Sequence, residues 1–480
     1  MHNDLIRLPD KKTKIVATLG PATATQAAVE ALIANGMNVA RLNFSHGDLA
    51  THRQMVANVR AAAAALGQRV AIMGDLPGPK LRIGQLASEP ITLKRDQPFI
   101  IEVGDFVGDA TRVAMSFERL PHCVGPGDLI YINDGYIQLE VEEVAGTQVR
   151  CRVCVGGELR SRKGVNFPGI DLGIRAFTEQ DRRFLAFAAE ERLDAISQSF
   201  VQNAADISAL RQAAAELGYA PFIIAKIERA RAVDNLDEIL DRADGIMVAR
   251  GDLGVEIPFE RIAVVQKEII RRASLRSRPV ITATHMLESM ISNRRPTRAE
   301  VTDVANAIID GTDCVMLSGE TSIGQYPADA VAAMSAIARY TEQRIASISL
   351  VPLLEELRAA DRLSIADEIS LATYRAVEAL QPDIIFGITT TGDSIRRLAR
   401  FDLPAWIVAI SSEERTVQQL IFSRGVYPVS GPATSESWAR YAADWLQANG
   451  IAARRALLTE STDTRAPRDT THLEILHLES

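Results

Sequence analysis

The sequence predicts an α/β fold: a TIM (β/α)8 barrel with an inserted small β-barrel domain and a C-terminal three-layer α/β domain. Three observations support this prediction. From Lys14 to Glu320, eight short apolar or β-branched runs alternate with alanine-rich amphipathic segments. After the third run, a stretch of alternating strands with Gly and Asp turns interrupts the series. From about Ser349 the alternation of strands and helices returns.

The eight runs are the predicted barrel strands. Strands that alternate with helices, such as Glu260 to Ser274, indicate a parallel sheet, and eight such units suggest a closed barrel. We predict that the barrel spans residues 1–78 and 176–348. The strand candidates are KIVATLG, MNVARLNF, VAIMGDLPG, LDAISQSFV, PFIIAKIE, DGIMVARGD, RPVITATHM and DCVMLSGE.

The other two domains are predicted from the sequence patterns of their strands. Residues 79–175 contain PFIIEVG, DLIYINDG, YIQLEVEEV and TQVRCRVCV, which are typical of a small antiparallel barrel inserted in a βα-loop. Residues 349–480 contain IIFGI, PAWIVAIS, ALLTES and LEILHLE, which indicate a doubly wound or three-layer α/β unit. We predict that the insertion is a lid and the C-terminal domain is regulatory.

Composition excludes several function classes. The net charge of −8 argues against nucleic acid as the main partner, because no overall positive field attracts phosphate backbones. The first twenty residues do not resemble a signal peptide, and no stretch approaches the roughly 20 apolar residues of a membrane helix. The four cysteines do not make a disulfide framework. We therefore expect a reduced, cytoplasmic protein with no membrane partner.

The predicted strands carry polar side chains at their carboxyl ends, where functional residues of (β/α)8 enzymes cluster. A buried ion pair would explain one pair such as Lys226 and Glu228. It does not explain why polar side chains occur at the carboxyl ends of six predicted strands. The polar residues at these ends are Arg41, Asn43, Ser45, Asp75, Lys226, Glu228, Arg250, Asp252, Thr282, Thr284, Ser318 and Glu320.

The types of these residues point to phosphoryl transfer. Lys226 and Glu228 lie two residues apart in an apolar strand, so they point the same way, and burying either alone would be expensive. Glu228 and Asp252, with no His or Cys nearby, suit Mg²⁺ or Mn²⁺ better than Zn²⁺. A lysine and an arginine beside that metal would neutralise an anionic substrate, and phosphate is the favoured candidate.

Several long motifs in the expected order resemble pyruvate kinase. They run from Lys14 to about Tyr340, and the resemblance continues more weakly beyond. It implies transfer of a phosphoryl group from phosphoenolpyruvate to ADP, which gives ATP and pyruvate in the last step of glycolysis. It also implies a homotetramer. The motifs are MNVARLNFSHG, IIAKIE, DGIMVARGDLGVEIP, VITATHMLESM and RPTRAEVTDVANAIIDGTDCVMLSGETSIGQYP.

The resemblance implies roles for the strand-end residues. Lys226 would stabilise the transferring phosphoryl group and the enolate charge, and Arg41 would contact the phosphate. Glu228 and Asp252 would bind the divalent metal, with the Gly251 backbone beside them.

Further positions carry over in the same way. Thr284 would lie near the enolate face, and Ser318 with Glu320 would hold the water network that delivers a proton. The nucleotide-binding residues implied are Arg82, Lys163, Asn43 and His46.

One departure concerns potassium. Family members that need K⁺ hold it with residues matching Asn43, Ser45, Asp75 and the carbonyl of Leu76. In those members the stretch after the third strand reads D-T-K-G-P-E. Here the stretch reads DLPGPK, so Lys80 stands where glutamate is usual. A fixed ammonium near the same carboxylate can replace a mobile cation. We predict that K⁺ is not required; the alternative is an exposed lysine at a domain hinge.

A second departure concerns the effector. A hydroxyl- and Gly-rich turn follows the strand IIFGI and opens a helix, which favours phosphate binding. Asp393 adds a negative charge there, and the segment after Thr459 lacks the Trp-Arg-Pro-Gly loop of relatives that bind fructose 1,6-bisphosphate. A sugar monophosphate or AMP is the hypothesis, and a turn without ligand is the alternative. The turn residues are Thr389, Thr390, Thr391, Gly392 and Ser394.

Two other functions stay open. A lyase on a related phosphoenolpyruvate-binding barrel would also use Glu, Asp and Mg²⁺, but it needs neither a nucleotide lid nor the pairing of Arg41 with Lys226. A non-enzymatic paralogue would be a sugar-phosphate sensor, and the intact catalytic positions weigh against it.

Overall fold

The computed structural model describes residues 8–460 and 472–478. Within these residues, no helix combines the length and apolarity needed to cross a membrane. The strands, numbered in chain order, are β1 Lys14–Thr18, β2 Val39–Asn43, β3 Ala71–Leu76, β4 Ile91–Leu93, β5 Pro98–Val103, β6 Arg112–Met115, β7 Leu129–Ile132, β8 Ile137–Ala145, β9 Gln148–Val155, β10 Gly157–Leu159, β11 Val165–Asn166, β12 Ala195–Gln198, β13 Phe222–Ile227, β14 Gly245–Ala249, β15 Val280–Ala283, β16 Cys314–Leu317, β17 Ile384–Ile388, β18 Trp406–Ser411, β19 Val426–Ser430, β20 Arg455–Glu460 and β21 His472–His477.

The helices connect these strands, and short 3₁₀ turns occur at four further places, Pro21–Thr23, Phe259–Arg261, Glu288–Ile291 and Leu420–Phe422. The α-helices are α1 Gln26–Ala34, α2 Leu49–Ala65, α3 Leu120–Cys123, α4 Glu179–Glu190, α5 Ala204–Glu216, α6 Ala230–Asp234, α7 Leu236–Leu240, α8 Arg250–Glu256, α9 Ile262–Leu275, α10 Arg298–Ile309, α11 Gly319–Ser322, α12 Pro327–Glu342, α13 Val351–Ala359, α14 Ile365–Leu380, α15 Asp393–Ala399, α16 Glu414–Gln419 and α17 Trp438–Ala448.

The eight predicted barrel strands close into one parallel barrel in the order β1-β16-β15-β14-β13-β12-β3-β2. Apolar side chains fill its interior, and a second apolar layer lies between the strands and the surrounding helices. Phe422 of the C-terminal domain enters the barrel interior at the amino ends of the strands and stacks on Phe222, with ring centroids 5.3 Å apart. The barrel interior is therefore a packed core, as expected for this fold.

A polar residue before every second strand fixes the register at the amino ends. Asp194, Asp244 and Asp313 each accept a backbone N–H from the first or second residue of a neighbouring strand, at 2.7, 2.8 and 2.9 Å. Asn38 does the same for Ile15 at 3.0 Å. These side chains satisfy N–H groups that the ladder leaves unpaired where a strand begins.

The inserted domain is strand-rich, with a six-stranded sheet in the order β11-β7-β8-β9-β5-β6 and a two-stranded sheet of β10 and β4. The sequence predicts antiparallel strands throughout, but β5 and β6 pair in parallel. The two connections to the barrel pair with each other through Arg82 and Gly164. Asp171 of this domain also forms an ion pair with Arg231 of α6 at 2.5 Å.

The C-terminal domain has a five-stranded sheet in the order β19-β18-β17-β20-β21, in which β21 is the antiparallel edge strand. Apolar residues of α14 and α15 pack on one face, and those of α17 pack on the other. These are the three layers that the sequence predicts, so the fold class is confirmed. The predicted absence of a phosphate-clamping loop concerns a segment whose residues 461–471 lie outside the described residues.

Candidate active site

Lys226 lies at the centre of a buried cluster at the carboxyl ends of β3, β12 and β13. Its ammonium donates to Ser199 Oγ at 2.6 Å, and its Nζ lies 3.3 Å from Glu228 Oε2 and 3.5 Å from Asp75 Oδ1. Burial lowers the pKa of Lys226, but the charges of Asp75 and Glu228 outweigh burial and hold that pKa above its usual value. The ammonium therefore stays charged where a substrate can reach it.

Arg41 occupies the other side of Asp75. Its Nε donates to Asp75 Oδ2 at 2.9 Å, its Nη2 pairs with the same oxygen, and its Nη1 donates to Thr18 Oγ1 at 2.9 Å. Burial raises the pKa of Asp75, but Lys226 and Arg41 outweigh burial and lower it overall. One carboxylate thus orients both cations that the sequence predicts for the phosphoryl group.

Glu228 has one oxygen in use and one without a hydrogen bond. Its Oε1 accepts the backbone N–H of Phe200 at 2.6 Å, while the buried Oε2 has no hydrogen-bond donor among the described residues. Burial raises the pKa of Glu228, and the charge of Asp252 raises it further against the opposing charge of Lys226. Lys226 is shared between Glu228 and Asp75, so a further cation would help to balance the negative charge here.

A divalent metal fits this need. Among the described residues, no three His, Cys, Asp or Glu side chains converge on one metal site. The protein would supply two carboxylates, Glu228 and Asp252, and other oxygens would come from water or substrate. That donor set is the one Mg²⁺ accepts, because it keeps several waters and binds few protein ligands.

The start of helix α8, directly after β14, approaches the loop after β15 closely. An added Cβ on Gly251 would lie 2.6 Å from Cγ2 of Thr284, so only glycine fits. Thr284 has φ 76°, a left-handed conformation that is strained for a β-branched residue. Arg250 holds this geometry, donating to the Thr284 carbonyl at 2.8 Å and pairing with Asp303 at 2.7 Å. The Arg250 guanidinium is thus used in contacts within the protein.

Glu320 is fully buried, and both of its carboxylate oxygens bind backbone. Oε2 accepts the N–H of Ser318 at 2.7 Å, and Oε1 accepts the N–H of Leu287 at 3.0 Å. Burial raises its pKa. The structure therefore places Ser318 half-buried at the carboxyl end of β16. Glu320 is buried and holds the Ser318 backbone through its carboxylate.

The remaining predicted residues lie at the rim. Asn43 accepts the N–H of Ser45 at 3.1 Å, and Ser45 and His46 are exposed beyond β2. Arg82 is exposed and Lys163 half-buried, on the paired connections to the inserted domain. Leu76 is buried in β3, beside Asp75.

Lys80 does not lie where the potassium hypothesis expects it. The side chain is exposed, and its Cε lies 3.4 Å from a Cβ built on Gly164, at the entrance to the inserted domain. Asp75 takes its ion pairs from Arg41 and Lys226, and no ion pair joins it to Lys80 within the described part of the chain. Lys80 and Asp75 therefore do not form an ion pair in this arrangement of the domains, and K⁺ independence stays a prediction.

The predicted effector turn lies between β17 and α15. Thr389 Oγ1 accepts the N–H of Gly392 at 2.9 Å. Arg396 donates to the Thr391 carbonyl at 2.8 Å and pairs with Asp393 at 2.9 Å. Burial raises the pKa of Asp393, but Arg396 outweighs burial and lowers it overall. The negative charge of Asp393 is thus compensated inside the turn, which the sequence alone does not reveal.

Two serines of β12 and its following loop were missed by the sequence analysis. Ser197 donates to Asp75 at 2.8 Å, and Ser199 accepts from Lys226. Both lie in AISQSF, two residues apart, so the period-2 alternation that links Lys226 and Glu228 would have placed them on one face. Thr18 of β1, which accepts from Arg41, carries no comparable signal.

Comparison with known proteins agrees with this geometry. The family model for the pyruvate kinase barrel domain matches residues 10–331, and the model for the pyruvate kinase alpha/beta domain matches residues 367–475. A pyruvate kinase of Thermococcus litoralis is 46% identical over 428 residues, covering 88% of this chain and 89% of that protein. One of Mycobacterium tuberculosis is 40% identical over 415 residues, covering 86% of each.

A solved structure extends the agreement to three dimensions. The crystal structure of a pyruvate kinase from Cryptosporidium parvum superposes with a TM-score of 0.90 at 34% identity, covering 98% of this chain and 97% of that one. With both family models matched in order and relatives aligned over most of their length, this chain belongs to the pyruvate kinase family and is a phosphotransferase.

Proposed function

We propose that this protein transfers the phosphoryl group of phosphoenolpyruvate to ADP and so forms ATP and pyruvate. The observation that carries this proposal is the Lys226 ammonium, held 3.3–3.5 Å from two carboxylates and hydrogen-bonded to Ser199. A fixed cation at this point stabilises charge that develops on the migrating phosphoryl group and then on the enolate. Arg41, oriented by the same Asp75, holds the substrate phosphate.

Glu228 and Asp252 would bind Mg²⁺ or Mn²⁺, with the Gly251 backbone beside them. When bound, the metal neutralises negative charge on phosphoryl oxygens and orients them. Oε2 of Glu228 supports this assignment, because it is buried without a hydrogen-bond donor and shares its one nearby ammonium, Lys226, with Asp75.

Thr284 and Ser318 are proposed to act on the enolate side. The backbone of Thr284 is strained directly after β15, and strain of this kind is maintained at functional sites. Ser318 would hold the water that delivers the proton. Glu320 is a positioning residue for it, since its carboxylate binds the Ser318 backbone.

The nucleotide is proposed to bind at the rim. Arg82 and Lys163, on the connections to the inserted domain, would contact its phosphates, with Asn43 and His46 on the barrel side. The inserted domain would close as a lid and exclude water from the phosphoryl group.

A coupled assay for pyruvate formation tests the main proposal and separates the alternatives. We expect pyruvate only when phosphoenolpyruvate, ADP and Mg²⁺ are all present. A lyase would consume a carbon substrate without ADP, and a sensor would bind sugar phosphate without turnover. Pyruvate formation that is independent of ADP would refute the proposal.

K⁺ independence is proposed from the exchange of glutamate for Lys80, and Asp75 already faces two fixed cations. Lys80 lies on the segment that enters the inserted domain, and we propose that closure of this domain brings its ammonium to Asp75. Turnover with tetramethylammonium as the only monovalent cation should match turnover with K⁺. Lys80→Glu should create a K⁺ requirement of about tenfold or more, ~1.4 kcal/mol in the barrier. A wild-type loss of this size that K⁺ restores would end the proposal.

A phosphomonoester effector is proposed for the turn of Thr389 to Ser394, with AMP, ribose 5-phosphate and glucose 6-phosphate as candidates and fructose 1,6-bisphosphate excluded. The pairing of Asp393 with Arg396 supports it, because the turn's own negative charge is compensated. Each compound is titrated at subsaturating phosphoenolpyruvate. A lowered half-saturating substrate concentration supports the proposal, and no shift with any compound favours the plain turn.

A homotetramer, a cytoplasmic location and the domain boundaries 1–78, 79–175, 176–348 and 349–480 are also proposed. Sedimentation equilibrium tests the first of these, since a tetramer has four times the chain mass of 52.3 kDa.

A further inference from the structure

A cavity of about 320 Å³ lies between the barrel and the C-terminal domain. Its barrel wall consists of α9 and the segments before β15 and β16, at the amino ends of the strands. Its other walls are α15, the loop before β19, and the connecting segment around Ser347 to Leu350. The cavity is therefore on the face of the barrel opposite Lys226.

The lining of this interdomain cavity is strongly basic. Six cationic side chains line it against four acidic ones. Arg278 and Arg271 have no carboxylate within 4.0 Å in the described part of the chain, whereas the other four cations each have one. The cations are Lys267, Arg271, Arg278, Arg396, Arg400 and Arg424.

Three of these arginines are deeply buried and incompletely satisfied. Arg396 and Arg424 are 8% and 5% exposed, and the side chain of Arg400 is 2% exposed. Each has one nitrogen that finds no hydrogen-bond acceptor among the described residues: Nη1 of Arg396, Nε of Arg400 and Nε of Arg424. A buried donor without an acceptor destabilises the folded protein, and a charged donor does so most strongly. An anion in the cavity would reduce this effect.

Arg278 lies where the two domains meet. Its Nε donates to the Leu240 carbonyl at 3.1 Å, and no acid neutralises it directly. Burial lowers the pKa of Arg278, the charge of Asp244 opposes this effect, and the charge of Arg396 adds to it. Arg278 and Arg396 therefore bring one guanidinium group from each domain to the same cavity.

Apolar side chains also line the cavity. Val264 and Ile348 are exposed large side chains at the cavity, and Leu350 is buried beside them. A ligand would therefore place an anionic group on the arginines and an organic portion against these residues. Guanidinium groups favour phosphate, because their planar fork matches two of its oxygens at once.

We propose that this interdomain cavity binds a small phosphomonoester, with its phosphate between Arg278 of the barrel and Arg396 and Arg400 of the C-terminal domain. Binding would join the two domains through one dianion. This site is separate from the turn of Thr389 to Ser394, although Arg396 contributes to both. It does not depend on phosphoryl transfer.

Isothermal titration calorimetry on the full-length protein tests the proposal. The probes are AMP, ribose 5-phosphate, glucose 6-phosphate and inorganic phosphate, with adenosine and ribose as phosphate-free counterparts. We expect one site per chain for at least one phosphomonoester, weaker binding of inorganic phosphate, and none of the phosphate-free compounds. The bound ligand should also raise the melting temperature.

Variants locate the site. Arg278→Ala should weaken binding at least about tenfold, and Arg278→Lys should weaken it less. Arg271→Ala, at an exposed position that is expected to tolerate alanine, should weaken it several-fold. The matched control is Arg276→Ala, two residues away, because Arg276 pairs with Asp237 and Asp241 outside this cavity.

Two outcomes overturn the proposal. One is that no phosphomonoester binds at millimolar concentration. The other is that Ser394→Ala, in the turn, weakens binding while Arg278→Ala and Arg271→Ala do not, which would place the ligand in the turn instead. A failed pyruvate assay would leave both results interpretable, because binding requires no turnover.

Discussion

The two ends of the barrel both bury ionisable side chains, but they treat the charges in opposite ways. At the carboxyl ends, Asp75 forms ion pairs with Arg41 and Lys226. The pKa of Asp75 is lowered and that of Lys226 is raised, in each case by partners that outweigh burial. This end, which we call the mouth, keeps its groups ionised.

At the amino ends, which we call the base, buried charges bind mainly neutral groups. Lys11 donates to the Thr13 carbonyl at 3.1 Å and Lys14 to the Val426 carbonyl at 2.7 Å. Burial lowers their pKa values to about 7 and about 8. Asp194 and Asp313 accept backbone N–H groups, and burial raises the pKa of each to about 6.

The difference separates a structural use of polar groups from a chemical one. At the base, side chains complete the backbone hydrogen bonding of the barrel, and burial shifts them toward neutrality. At the mouth, ion pairing preserves charge for an anionic substrate. Glu228 departs from its neighbours, since burial raises its pKa although Lys226 is 3.3 Å away. This is the position at which a metal would complete the charge balance.

The largest expected effect is on turnover, when a lysine at the mouth is replaced and compared with the same replacement at the base. Lys226→Met should lower turnover by several orders of magnitude, because it removes a cation that acts on transition-state charge. Lys14→Met, at the base, should leave turnover within about threefold and lower the melting temperature. The coupled pyruvate assay measures the first effect, and scanning calorimetry measures the second. Equal losses of turnover in both folded variants would remove the distinction between mouth and base.

The next effect concerns a carboxylate at each end. Glu228→Gln should weaken Mn²⁺ binding at least about tenfold, because an amide oxygen is a poorer ligand than a carboxylate for a hard cation. Asp194→Asn should not change it, since Asp194 binds the Ile72 backbone far from the mouth. Electron paramagnetic resonance of free Mn²⁺ gives both constants. An unchanged constant in Glu228→Gln would show that this carboxylate is not a metal ligand.

The smallest effect is the pH dependence of stability through Lys11. Its folded pKa of about 7 lies below the unfolded value of 10.5, so the unfolded state binds more protons between these pH values. The free energy of unfolding therefore rises with pH over this range, and Lys11→Met removes that rise. The melting temperature of wild type minus that of the variant should increase by several degrees from pH 7 to pH 10, given about 2–4 °C per kcal/mol.

The control for this experiment is Lys94→Met, at an exposed position of the inserted domain. Its melting temperature should follow that of wild type at every pH. A constant or shrinking difference for Lys11→Met would contradict the contrast between the two ends.

Much of the site could be predicted from the sequence. The alternation along β13 places Lys226 and Glu228 on one face, and the polar ends of six strands mark the mouth. The structure adds what depends on contacts between distant segments. Ser199 completes the lysine site, Arg250 contacts Thr284 and Asp303, and Lys80 lies at the entrance to the inserted domain.

The sequence by itself determined the kind of fold and the chemistry of the mouth, because hydrophobic period and residue type are local properties that need no knowledge of neighbours. Only the tertiary structure decided which charges meet. Asp75 pairs with Arg41, 34 residues away, and with Lys226, 151 residues away, through barrel closure and strand register. The basic interdomain cavity likewise exists only because two domains pack together, which no local pattern records.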